Sequence, residues 1–128
     1  MCLPISATGT IRRHPDVAWN KTLDDVAKLQ ALQARLIDQA IRLLKPNGRL
    51  VYVTCSLERE EGETQIARAL VRHPTLKRVP ILAAEIGGLV AAVTEEGDMR
   101  LLPHHISGET ARLSGSDGFF AARLALTS

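Results

Sequence analysis

From residue 22 to residue 45 the apolar positions Val26, Leu29, Leu32, Leu36, Ile37, Ala40, Leu43 and Leu44 recur at steps of three and four, which places them along one face of an α-helix. Thr22 followed three residues later by Asp25 resembles a capping box with a shortened acid and sets the expected start. The helix must stop at Lys45-Pro46-Asn47-Gly48, because Pro46 disfavours helical geometry at Lys45 and Asn-Gly favours a turn. Leu50-Val51-Tyr52-Val53 then runs without polar alternation, which predicts a strand covered on both faces in a parallel sheet and ending at Thr54-Cys55-Ser56. A second helix is expected over residues 59–72. Glu60, Glu61 and Glu63 lie at its start and Arg72 and His73 at its end, a charge order that complements the helix dipole, and Pro74 closes it. Helix, short turn, buried strand, helix is the rhythm of a layered α/β fold.

The flanks are less periodic. Residues 1–20 hold Pro4, Gly9 and Pro15 around a compact basic stretch and read as a loop, leaving residues 21–128 as the α/β body of a single domain. Residues 76–82 form a candidate strand that Pro80 would confine to a sheet edge. Residues 89–94 and 99–102 flank Glu95-Glu96-Gly97-Asp98 as an expected hairpin. A last strand is predicted over residues 119–124, entered through Ser114-Gly115-Ser116-Asp117-Gly118.

Composition narrows the class without naming it. With 128 residues, 45% hydrophobic and 23% charged, the chain suits one globular domain. Sixteen basic against fourteen acidic residues leave a formal +2, too little for charge alone to diagnose a nucleic-acid partner. Two cysteines exclude a disulfide framework, and four scattered histidines make no zinc spacing; the adjacent His104 and His105 have no third ligand nearby, so no metal is expected. The cysteine usage reads as cytoplasmic, and no apolar run approaches a membrane span. Phe119 and Phe120 could stack on bases, but strand alternation assigns them to core and sheet packing.

Cys55 is the leading candidate for chemistry. It falls at the carboxyl end of a predicted buried strand, where open α/β sheets place their ligands, and just before an expected helix N-terminus, which would raise the thiolate fraction a nucleophile needs. The competing reading is a cysteine buried simply as a small hydrophobe.

Five landmarks in one order carry a resemblance. They are the string from Ser6 through Thr10-Ile11-Arg12-Arg13-His14-Pro15-Asp16, the helix end Leu44-Lys45-Pro46-Asn47-Gly48, the strand and loop Leu50-Val51-Tyr52-Val53-Thr54-Cys55-Ser56, the pair Glu60-Glu61, and Asp117-Gly118-Phe119-Phe120-Ala121-Ala122. Together they resemble the C-terminal half of the Fmu/Sun-type RNA cytosine-5 methyltransferases. The resemblance implies a partial Rossmann-like methyltransferase sheet mixed with an antiparallel C-terminal strand. It also implies that Cys55 attacks C6 of a cytosine, so that C5 accepts a methyl group from S-adenosylmethionine. Thr54 and Ser56, beside the nucleophile, and the basic Arg12, Arg13 and His14 are then expected on the substrate side, facing an rRNA or tRNA, and Pro4 is carried over as a cofactor-side residue.

The departures shape the expected activity. Where the family motif reads Asp-x-Pro-Cys-Ser, this chain has Cys2-Leu3-Pro4-Ile5-Ser6, lacking both the aspartate and the second cysteine that aids product release. Gly62 stands where the family often carries asparagine. The family's glycine-rich donor loop belongs to a more N-terminal region, and Gly87-Gly88, ahead of a predicted strand, does not replace it. The chain is therefore expected to be a truncated methyltransferase portion, inactive and without bound S-adenosylmethionine when alone, and to self-associate or to need an N-terminal partner. The alternatives are a non-catalytic RNA-binding module or partner subunit, or a non-functional gene remnant.

Overall fold

The structure is a computed structural model, and it describes residues 23–102 and 118–127. Helix α1 spans Leu23–Arg42 and strand β1 Arg49–Thr54; a 3-10 turn at Arg59–Glu61 precedes helix α2, Glu63–Arg72. Strand β2, Leu76–Arg78, leads into 3-10 turns at Ala83–Ile86 and Val90–Ala92, followed by β3, Met99–Leu101, and β4, Phe119–Leu126. None of the described helices is long and apolar enough to cross a membrane.

The fold is α/β, and the C-terminal strand is antiparallel as expected. It is also the centre of the sheet. β1 pairs with β4 from Arg49↔Ala125 to Thr54↔Phe120. On the other side β2 pairs with the end of β4 through Leu76↔Leu126, and β3 with its beginning through Arg100↔Phe120. Every one of these ladders is antiparallel. Strand alternation then places Leu50, Tyr52, Thr54, Arg100, Phe120, Ala122 and Leu124 on one face. Ile37 and Ile41 of α1 and Ile66 and Ala69 of α2 pack on that face to close the core.

Several expectations are corrected here. β1 is not covered on both faces: Val51 and Val53 are 59% and 51% exposed while Tyr52 and Thr54 are buried. Among the described residues its one strand neighbour is the antiparallel β4. A short aliphatic run reads the same whether its second face is covered or open, so periodicity could not separate the cases. α1 ends at Arg42, three residues before Lys45: the Leu44 N–H closes a tighter turn on the Ile41 carbonyl at 3.1 Å, and Leu43, though in phase, is 84% exposed. The second helix starts at Glu63 instead of Arg59, since the chain is interrupted at Gly62 after a 3-10 turn. The segment over residues 76–82 shortens to β2, at the edge that Pro80 demands. Of the hairpin, one bridge, Val93↔Met99, joins its arms, and the first arm is mostly the 3-10 turn Val90–Ala92.

α1 and α2 are also tied at their ends by a charge cluster. Asp38 Oδ1 accepts from Arg72 Nη2 at 2.9 Å and Nε at 3.1 Å, and lies 2.8 Å from His73 Nε2. Burial works to raise the Asp38 carboxyl, but the bonds from His73 and Arg72 outweigh it and hold the group below its ordinary value. A depressed folded value means the contribution is present above the unfolded pKa, near 3.9, and is lost as pH falls through the folded one. Asp38→Asn is therefore expected to lower stability at neutral pH by about 0.5 kcal/mol, within the range of exposed ion pairs. Urea titrations from pH 7 down to pH 2 should show that deficit shrinking on the acid limb, and a deficit constant with pH would refute the assignment.

Candidate active site

The core that places β1 against β4 also fixes the loop leaving β1. Thr54 is the last paired residue of the strand, opposite Phe120, and its buried hydroxyl accepts the Ser56 N–H at 3.2 Å. The Ser56 hydroxyl, also buried, accepts the Glu58 N–H at 3.0 Å. Two successive side-chain-to-backbone turns therefore shape this loop, the first enclosing Cys55 and the second Leu57, the local chemistry by which Ser and Thr organise loops. Cys55 itself is a half-buried thiol at the turn's apex.

One sequence-based warrant for its reactivity does not hold in this geometry. α2 begins eight residues after Cys55, at Glu63, and a helix dipole acts only within its first turn. The cysteine sits at the strand end as expected, but in a loop and not at a helix N-terminus. Thr54 and Ser56 are brought beside it, with their hydroxyl oxygens turned to backbone N–H groups. Pro4, Arg12, Arg13 and His14, together with Cys2, Ile5, His104 and His105, lie outside the described residues.

Around the loop stands a polar cluster that the sequence reading did not single out. Arg100 of β3 is almost fully buried and donates through Nη1 to the Ser56 carbonyl at 2.6 Å. Its Nε and Nη2 bind Glu63 as a fork, at 3.0 Å and 2.5 Å. Burial works to raise the Glu63 carboxyl, but the bonds and charge of Arg100 hold it below the ordinary range. The guanidinium also lies 4.9 Å from the Phe120 ring centre, a favourable seat for a cation. Beneath it Gly62 is packed so closely that a Cβ would meet Arg100 Nη2 at 2.6 Å. On the other flank Glu61 is fully buried, its carboxylate accepting from Gln33 at 3.2 Å and its carbonyl accepting the Tyr52 hydroxyl at 2.5 Å. The one signal in the sequence for this second cluster was Glu60-Glu61.

The apolar cavity between α1 and β1 is a poor match to S-adenosylmethionine. Such a ligand needs a concave pocket with several placed polar groups. That cavity, of about 380 Å³, is lined by Leu36, Ile37, Ala40, Leu50, Val51, Tyr52 and Val53; the Tyr52 hydroxyl is already committed to Glu61. Gly87 and Gly88 follow a 3-10 turn, both at positive φ, and the Gly88 N–H closes that turn on the Ala83 carbonyl. They do not join a strand to a helix.

Comparison with known proteins places this arrangement in a family. The chain is 37% identical to the ribosomal RNA small subunit methyltransferase F of Cronobacter sakazakii over 97% of its length and 24% of that protein. A methyltransferase homolog protein from Pyrococcus horikoshii superposes with a TM-score of 0.65 at 32% identity, over 96% of this chain and 36% of that one. The structure of NSun6 from the same organism with SFG superposes with a TM-score of 0.68 at 26% identity, over all of this chain and 29% of that one. The chain thus spans about a quarter of the length of the curated relatives it matches. Residues 1–125 match the 16S rRNA methyltransferase RsmB/F family, and the chain belongs to it.

Proposed function

We propose that this chain carries the nucleophile of an RNA cytosine-5 methylation site, with ribosomal RNA as the substrate class, and that the methyl donor is held outside the described residues, in the same or a separate polypeptide. The observation that carries the reading is the loop at the end of β1, where the Thr54 turn encloses Cys55 and the Ser56 turn follows directly after it. The names of the relatives describe ribosomal RNA methyltransferases, and an ordered half-buried thiol is the group that such chemistry asks of this position. The Cys55 thiolate adds to C6 of the cytosine: the S–C6 bond forms as the C5–C6 π pair moves to C5, and C5 becomes the nucleophilic carbon. Thr54 and Ser56 act on this step through the backbone. Arg12, Arg13 and His14 are assigned to RNA phosphates, as their charge and their place ahead of α1 suit. S-adenosylmethionine is the donor of the family reading, and no donor-binding step is assigned to the described residues.

Covalent trapping tests this. RNA carrying 5-fluorocytosine at the target is incubated with the chain and S-adenosylmethionine, with and without the complementary N-terminal portion of the Cronobacter relative as a separate polypeptide. A denaturation-resistant adduct mapped to Cys55 is expected only with the complement, and Cys55→Ala is expected to abolish it. An adduct that survives Cys55→Ala, or none with the complement bound, overturns the proposal.

A further inference from the structure

We infer that Arg100 is the positioning residue for the Cys55 loop, holding the nucleophile's backbone from a strand remote in sequence; this rests on the reading of Cys55 as nucleophile. The path of the chain explains the need. Cys55 follows the last residue of β1, and its Cα is set by the peptides on either side. The preceding one is anchored by the Thr54↔Phe120 pairing. The following one is anchored within the turn itself by the Ser56 N–H on Thr54 Oγ1.

Arg100 supplies a restraint from outside the turn. Its Nη1 holds the Ser56 carbonyl at 2.6 Å across 44 residues of chain, so both backbone polar groups of the residue after Cys55 are tied down. A long arginine side chain could follow a moving loop, but this one cannot. Its other two donor groups are forked onto Glu63, its face rests on Phe120, and Gly62 closes the space behind it. The planar guanidinium makes three bonds in one fixed geometry, which a lysine ammonium cannot reproduce. Neutralisation by Glu63 further marks its role as mechanical, with no spare charge directed at substrate. Positioning of this kind matters because a displacement on the order of 1 Å at a reacting atom can cost about a hundredfold in rate.

The test uses the full chain with its complement in the trapping assay, measuring the rate of adduct formation against RNA concentration. Arg100→Met is expected to slow adduct formation at saturating RNA about tenfold or more, leaving the half-saturating RNA concentration unchanged. Arg100→Lys, which can still reach the Ser56 carbonyl, is expected to recover part of the rate. Because Arg100→Met also disturbs a buried cluster, Glu63→Gln serves as the milder second variant, keeping the shape and weakening the fork; a loss of about threefold is expected. Iodoacetamide alkylation of the folded chain, followed by pH and read by peptide mass spectrometry, supplies a readout independent of RNA: both variants should shift the Cys55 profile and leave that of Cys2 in place. Adduct formation within twofold of wild type for both variants, or losses that merely track the unfolded fraction with Cys55 alkylated as fast as Cys2, would overturn the inference. Failure of the wild-type chain to form any adduct would instead overturn the nucleophile reading, and the alkylation profiles would still decide whether Arg100 positions the loop.

Discussion

Phe120→Ala is expected to cost about 3–5 kcal/mol, the range for deleting a fully buried aromatic side chain. Phe120 is completely buried at the point where all the layers meet. Its ring stands edge-on to Tyr52 at 6.4 Å between centroids and carries the Arg100 guanidinium on its face, while its backbone pairs with β1 on one side and β3 on the other. Truncation removes both the apolar burial and the surface on which the buried cation rests, so the site has little means to collapse. Domains of this size have in total roughly 5–15 kcal/mol of stability, and the variant should populate the unfolded state measurably at 37 °C. Urea unfolding followed by far-ultraviolet circular dichroism will read the midpoint. A loss below about 1.5 kcal/mol, the size of a volume-conserving swap, would show that Phe120 is not the centre of the core.

Gly62→Ala is the second large effect, and it acts through space. The added Cβ would lie 2.6 Å from Arg100 Nη2 and 2.9 Å from Phe120 Cγ, both well inside contact distance. With φ at −117° the residue is outside the left-handed region, so steric crowding is the cause assigned. The far end of an arginine normally gives way, but here it would have to release Glu63 and the Ser56 carbonyl to do so. Overpacking of about 1–3 kcal/mol is expected, accompanied by a changed alkylation rate at Cys55. A double variant with Arg100→Met should cost less than the sum of the two single changes, because the clash loses one of its partners, and near-neighbour changes of this kind do not add. Strict additivity would place the crowding elsewhere.

The elements that were legible in the sequence are those whose signal is local. The apolar steps from Val26 to Ala40 mark α1, and the expected end lies too far along because Leu43 and Leu44 stay in phase after the helix has stopped. The run Leu50-Val51-Tyr52-Val53 marked β1, and with it the position of Cys55 at a strand end. The start of the second helix was misjudged because Glu60 and Glu61 look like an acidic first turn, whereas Glu61 is turned inward to Gln33. Phe119 and Phe120 were assigned to packing, and Phe120 is the most central ring of the core. In the sequence Gly62 stands out only as a departure from an asparagine; the reason for a small residue there lies in Arg100 and Phe120. Arg100 left no trace at all, since its partners Glu63 and Ser56 are 37 and 44 residues away. A distance of that kind is set by β3 lying alongside β4, a pairing that no local window contains.

β4 has a consequence for synthesis. The three other described strands make their ladders to it, and none of those ladders joins two strands that both precede it. When residues 49–101 have left the ribosome, the helices can form but these strands have no template in β4, and Tyr52 and the apolar side of α1 lie uncovered. Only when residues 119–126 emerge can β1, β2 and β3 be recruited, the first of them across 76 residues of chain at its Arg49↔Ala125 end. Loop closure over such separations is slow relative to helix formation. The described residues therefore pass through a window in which they are helical, without their sheet, and adhesive, and in which chaperone binding competes with aggregation until β4 is translated.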